Sequence, residues 1–182
     1  MGSIIFSEQS HRELQPLRGQ LGVLHLIKQL AEHPAWTESR ASKTGEDTAL
    51  RAMKRLQRVV RPGSLIFLLS DFRQLVDSTH SLLLQLSRHS DIVMICIYDP
   101  LEHHLPPDGH YRLSNGQREL TLDTGDRGFR ENYRRRFESH QQGLEALSRQ
   151  LGLSLLFCST AQDPLKVLQH GLGIAPQPEI RA

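Results

Sequence analysis

Apolar residues fall along this chain in two patterns, short continuous runs and helix-spaced repeats. Leu65-Ile66-Phe67-Leu68-Leu69 is one run, opened by Arg61-Pro62-Gly63-Ser64 and closed by Ser70-Asp71-Phe72. A run of this length between turn residues predicts a strand buried on both faces. Ile92 to Tyr98, leaving through Asp99-Pro100, and Leu153 to Ser159 predict two more. Ile4-Ile5-Phe6 is short and apolar, and the segment from His11 to Pro16 predicts an edge strand ended by proline. Between these runs the spacing is helical. Leu21, Leu24, Ile27 and Leu30 predict a helix stopped by Pro34, and Leu50, Met53, Leu56 and Val60 predict a second helix reaching about Arg61. Asp77-Ser78-Thr79 can cap a third helix carrying Leu82, Leu83 and Leu86. Phe129, Tyr133, Phe137, Leu144, Leu147 and Leu151 share the apolar side of one long helix.

Two turn signals complete the pattern. Asn115-Gly116, between Tyr111–Leu113 and Glu119–Leu122, predicts a β-hairpin. Asp163-Pro164 opens a final short helix. Thr37 to Thr48 is polar and reads as a loop, and the proline-containing tail 175–182 as disordered. Strand, helix, strand, helix, strand predicts an α/β fold, with a mostly parallel sheet covered by helices on both faces and right-handed crossovers.

Composition narrows the class. A chain of 182 residues suits one domain, here residues 1–174. Its net charge of +2 supplies no global basic field, which argues against nucleic acid as the main partner. No apolar stretch approaches the roughly 18 residues of a membrane span. The start, Met1-Gly2-Ser3-Ile4-Ile5-Phe6, lacks the basic opening and long apolar stretch of a signal peptide. Cys96 and Cys158 both lie inside apolar runs, so two buried thiols in a reducing cytoplasm are expected.

Candidate chemistry is sparse. Asp71 and Asp99 follow two of the runs, where parallel sheets bind ligands. They could share Mg²⁺, or cap a turn and a helix start. Asp77-Ser78-Thr79-His80-Ser81 fits an oxygen-ligand pattern for divalent metals, but no buried strand leads directly into it, and helix capping accounts for it better. His103-His104 has no second pair at zinc spacing and reads as surface loop. Arg130, Arg134, Arg135 and Arg136, interleaved with Tyr133 and Phe137, form a basic helix face. That face would be solvated, or would meet an acidic protein or nucleic acid. There is no nucleophile elbow, Walker loop or dinucleotide glycine fingerprint.

The order of segments resembles the bacterial domain of unknown function 58 family, whose C-terminal domain is similar to a von Willebrand factor type A domain. Ser3 to Ser7, Glu13-Leu14-Gln15-Pro16 with Arg18-Gly19, the block Arg61 to Phe72, Tyr98 to Glu102, Leu105-Pro106 and Leu122-Asp123-Thr124 carry the resemblance. It implies a three-layer, Rossmann-like sheet with an inserted hairpin. It also implies that this chain enters at the second strand and lacks the central first strand, either as a truncated relative or through a misplaced gene start. Ile4-Ile5-Phe6 must then pair with Ser64–Leu69, dock elsewhere or leave backbone groups unpaired. Of the family's metal-ion-dependent adhesion site, Asp71 matches the aspartate after the fourth strand. Thr48, in Gly45-Glu46-Asp47-Thr48, stands near the threonine, and the Asp-x-Ser-x-Ser loop is missing. The resemblance implies a non-enzymatic interaction module without membrane helices, an adaptor for a MoxR-type AAA+ ATPase in complex assembly or maturation. Asp47, Asp71, Arg134 and Arg135 are its expected partner contacts, with an incomplete Mg²⁺ site at Asp71 and Thr48. A small metal-dependent hydrolase using Asp71 and Asp99 is the alternative.

Overall fold

A computed structural model describes residues 1–7, 11–34, 48–73, 77–114 and 119–174. In chain order the elements are β1 (Ser3–Phe6), β2 (His11–Leu14), α1 (Gly19–Ala31), α2 (Thr48–Val59), β3 (Ser64–Ser70), α3 (Asp77–Ser87) and β4 (Ser90–Tyr98). Then come α4 (Pro100–His103), β5 (His110–Ser114), β6 (Glu119–Asp123), α5 (Arg127–Leu151), β7 (Ser154–Ser159) and α6 (Pro164–Gly171). The chain divides into two compact units, residues 1–61, 74–85 and 114–119, and residues 62–73, 86–113 and 120–182.

In the first unit β1 and β2 pair antiparallel, from Ser3 opposite Leu14 to Phe6 opposite His11. The terminal ammonium of Met1 donates to the Leu17 carbonyl at 2.6 Å, and Leu17 N–H donates back to Met1 O at 3.0 Å, closing the open end of this ribbon. Arg55 of α2 bonds Glu13 of β2 at 2.5 Å. The apolar positions of α1 that predicted the helix are exposed: Leu21, Leu24, Ile27 and Leu30 all face solvent. Spacing sets the side of a helix on which apolar residues lie, and a cover must come from another element. In α3, Leu82, Leu83 and Thr79 are buried. Thr79 therefore sits inside the helix rather than capping it, and its hydroxyl has no hydrogen-bond partner among the described residues.

The second unit holds a parallel sheet in the order β3-β4-β7. Ser64 stands opposite Ser90 and Ser70 opposite Cys96, while Val93 stands opposite Ser154 and Tyr98 opposite Ser159. The molecule is thus mixed α/β around a three-stranded parallel sheet. β4 has a partner on each side, and Ile92 to Cys96 are all buried. Asp126 caps α5 by accepting from Gly128 N at 2.8 Å and Phe129 N at 3.1 Å, and Gly152, with φ 66°, ends it in the left-handed turn that favours glycine. Asp163 caps α6 through Leu165 N at 2.9 Å. Val167 and Leu168 of α6 then pack with Leu156 on Val93, Ile95 and Cys158.

β3 departs from expectation. It was predicted to be buried on both faces, yet Leu65, Phe67 and Leu69 are 59%, 43% and 55% exposed while Ile66 is 6% exposed. β3 has one ladder partner among the described residues, and only one of its faces is covered. β1, left free to pair with β3 or to dock elsewhere, pairs with β2. The second helix ends at Val59 rather than at Arg61. The polar segment through Asp47, the Asn115-Gly116 turn and the tail from 175 lie outside the described residues. No described helix is long and apolar enough to cross a membrane.

Candidate functional site

The carboxyl ends of β3 and β4 lie side by side because the strands are parallel and in register. Chain exit from β3 is tightly specified. Ser70 Oγ accepts from Phe72 N at 3.1 Å, and Phe72 adopts φ 54° with its ring 7% exposed. A bulky residue rarely takes that conformation, and burial of the ring holds it there. The turn brings Arg73 N within 3.2 Å of Asp71 Oδ1, and Arg73 Nε within 3.8 Å of Asp71 Oδ2. The same guanidinium pairs with Glu102. The Asp71 carbonyl faces inward, where His140 Nε2 of α5 donates to it at 2.8 Å and Cys96 Sγ at 3.9 Å.

Exit from β4 follows helix-cap rules. Asp99 Oδ1 accepts from Leu101 N at 2.8 Å, and Glu102 Oε1 accepts from Asp99 N at 3.1 Å, the reciprocal pair of a capping box. Asp99 Oδ2 accepts from Thr160 Oγ1, beyond β7, at 3.1 Å. Both oxygens of Asp99 are therefore engaged. Tyr133 donates its hydroxyl to Leu101 O at 3.0 Å and so fixes α4 against α5. His103, expected in a surface loop, closes α4 instead, half-buried with its ring centroid 5.0 Å from that of Phe137.

These contacts frame an open cavity of about 280 Å³ lined by Arg73, Glu102, Tyr133, Arg136, Phe137 and His140. Charge in it is unevenly matched. Arg73 is met by Asp71 and Glu102, while Arg136 has no carboxylate within ion-pair distance among the described residues. Buried beside Asp71, the Cys96 thiol is pushed up from an ordinary 9.0 to about 11, first by desolvation and then by the charges of Asp71 and Glu102. It is a packed thiol, not a nucleophile at neutral pH.

The expected site residues fare differently. Asp71 stands at the predicted strand end. Thr48 opens α2 in the other unit with its side chain outside the description, and Asp47 lies outside the described residues. Arg134 and Arg135 are exposed and paired along α5 with Glu138 at 3.4 Å and Glu131 at 2.8 Å. Arg130 pairs with Asp108. No group of three or more His, Cys, Asp or Glu among the described residues could hold a metal ion. Asp71 stands at the strand-end position of the implied Mg²⁺ site, with Arg73 beside its carboxylate.

Sequence reading missed His140, Glu102 and Arg73. One signal was available: Tyr133, Arg136, Phe137 and His140 recur at three and four residues and share a face of α5.

A family model described as "Protein of unknown function DUF58" matches residues 1–143. The chain belongs to the DUF58 family. No curated protein and no solved structure matches it. The DUF58 match ends within α5 just beyond His140, so every residue lining the cavity lies inside the matched span, and β7 and α6 lie outside it.

Proposed function

We propose that this DUF58 chain is a non-enzymatic interaction module of von Willebrand A type, acting as an adaptor for a MoxR-type AAA+ ATPase in complex assembly or maturation. The observation that carries the reading is the cavity at the carboxyl ends of β3 and β4. Its ionisable and hydroxyl groups are engaged in a cap, an ion pair and hydrogen bonds to backbone carbonyls, apart from the guanidinium of Arg136. Such a site recognises more readily than it reacts, and an acidic side chain of a protein partner is the group that Arg136 would take. Asp71 shapes the rim, and its adhesion-site role is incomplete.

Titration calorimetry of the chain against a purified MoxR-type ATPase tests the proposal. Binding that weakens at least tenfold on Arg136→Glu, with Arg134→Glu as a milder companion, supports it. Absence of binding, or equal affinity of the Arg136→Glu variant, overturns it. The hydrolase alternative has less support, because both oxygens of Asp99 are bound to Leu101 N and Thr160.

A further inference from the structure

We propose that the side of α5 leading into the cavity, with Leu101 of α4 beside it, docks an extended acidic segment of a protein partner. One carboxylate of that segment sits on Arg136, and an apolar side chain two positions away sits on Phe129 and Leu101. This rests on the reading of the cavity as a recognition site and names what it recognises. Phe129, Tyr133, Arg136 and His140 recur at spacings of three and four residues, so they line one side of α5. Phe137, Leu144 and Ser148 are the buried residues of that helix, whereas Phe129 is 37% exposed. The Phe129 ring lies 6.2 Å from that of Tyr133, and the Tyr133 hydroxyl donates to Leu101 O at 3.0 Å. Leu101 is itself 58% exposed. Two large apolar residues therefore stand open to solvent on either side of a ring that lines the cavity.

Charge selects the occupant. The neighbouring cations of α5 are answered: Arg130 by Asp108, Arg134 by Glu138 and Arg135 by Glu131. Inside the cavity Arg73 is held by Glu102. Arg136 lines the same cavity with no carboxylate in ion-pair distance among the described residues. One unmatched guanidinium suits one carboxylate, received through paired N–H donors. A phosphorylated segment would instead bring nearly two negative charges beside Glu102. A single ion pair at a wet surface contributes little by itself, so burial of the exposed apolar pair supplies the rest of the attraction. Spacing fixes the kind of segment. Along the helix axis Arg136 stands about 4.5 Å from Tyr133 and about 10.5 Å from Phe129. In an extended chain residues i and i+2 share a side about 7 Å apart, between those two values. An apolar residue two positions from a glutamate or aspartate therefore spans this side of α5.

Fluorescence anisotropy of the full chain with two labelled peptides reads the outcome, fluorescein-Gly-Ser-Leu-Ser-Glu-Ser-Gly and its reordered form fluorescein-Gly-Ser-Glu-Ser-Leu-Ser-Gly. At least one of them is expected to bind saturably. Glutamine in place of the glutamate of that peptide, or serine in place of its leucine, is expected to weaken binding at least tenfold. These changes are made in the probe, so they test the surface whether or not a variant of the protein folds. Arg136→Gln, with an unchanged far-ultraviolet circular dichroism spectrum, is expected to weaken the glutamate peptide at least tenfold and to leave the glutamine peptide unaffected, as coupling between the two groups requires. Phe129→Ser should act in the same way on the leucine. Absence of saturable binding by both peptides overturns the inference, and so does indifference to the glutamate or to the leucine. Tighter binding when phosphoserine replaces the glutamate also overturns it, in favour of a phosphopeptide site. The titration against a MoxR-type ATPase separates this inference from the adaptor reading. Peptide binding without ATPase binding ends the adaptor role and leaves this surface standing. ATPase binding through Arg136 without peptide binding ends this inference alone.

Discussion

The imidazole Nε2 of His140 lies 2.8 Å from the backbone carbonyl of Asp71, which ties the middle of α5 to the exit of β3. Asp71 is thereby anchored through its main chain, leaving its carboxylate turned toward Arg73. Removal of the donor in His140→Ala is expected to lower stability by about 1 kcal/mol, the usual net value of such a bond. The check is a urea titration at pH 7. An unchanged midpoint would show that the bond contributes nothing.

Cys96 sits beneath the same carbonyl, and its acidity carries a pH signature. The folded chain holds the thiol proton up to about pH 11, whereas an ordinary thiol releases it near 9.0. The unfolded chain therefore binds fewer protons than the folded one between those values, and stability falls as pH rises through that window. Below pH 9 the contribution is fully present. Iodoacetamide labelling of native protein at pH 8, read by peptide mass, should be slow at Cys96 and become fast on adding urea. Rapid labelling of Cys96 without denaturant would contradict its burial.

Phe72 combines a buried ring with a left-handed backbone, and this reverses a common ordering of substitutions. Phe72→Ala loses the ring and keeps a side chain in a conformation that L residues avoid, an expected cost of about 3–5 kcal/mol. Phe72→Gly loses the ring as well, but relieves a strain of about 1 kcal/mol. Glycine should therefore be the less damaging of the two by roughly that amount. Thermal melts of the two variants measure the difference, and an alanine variant as stable as the glycine one, or more so, would rule it out.

Much of the second unit is legible locally. The apolar runs become β3, β4 and β7, and Asp163-Pro164 starts α6 where the rule for proline in a first helical turn places it. Asp99 behaves as a cap because Pro100 and Glu102 follow at fixed offsets, all within one helical turn. His140 is harder to find. It meets Asp71 across 69 positions of sequence, and only the packing of α5 brings the two together. Glu102 and Arg73, 29 residues apart, meet because two strand ends lie side by side.

The same divide separates periodicity from burial. By itself the sequence determined where most strands and helices run, some of the residues that cap them, and membership of the DUF58 family, because each depends on neighbours in the chain or on the order of segments. Only the tertiary structure decided which apolar faces are covered. Leu65, Phe67 and Leu69 have the apolar character of a core strand, yet they are exposed, because burial of a sheet face requires another element to pack on that face, which local sequence does not specify.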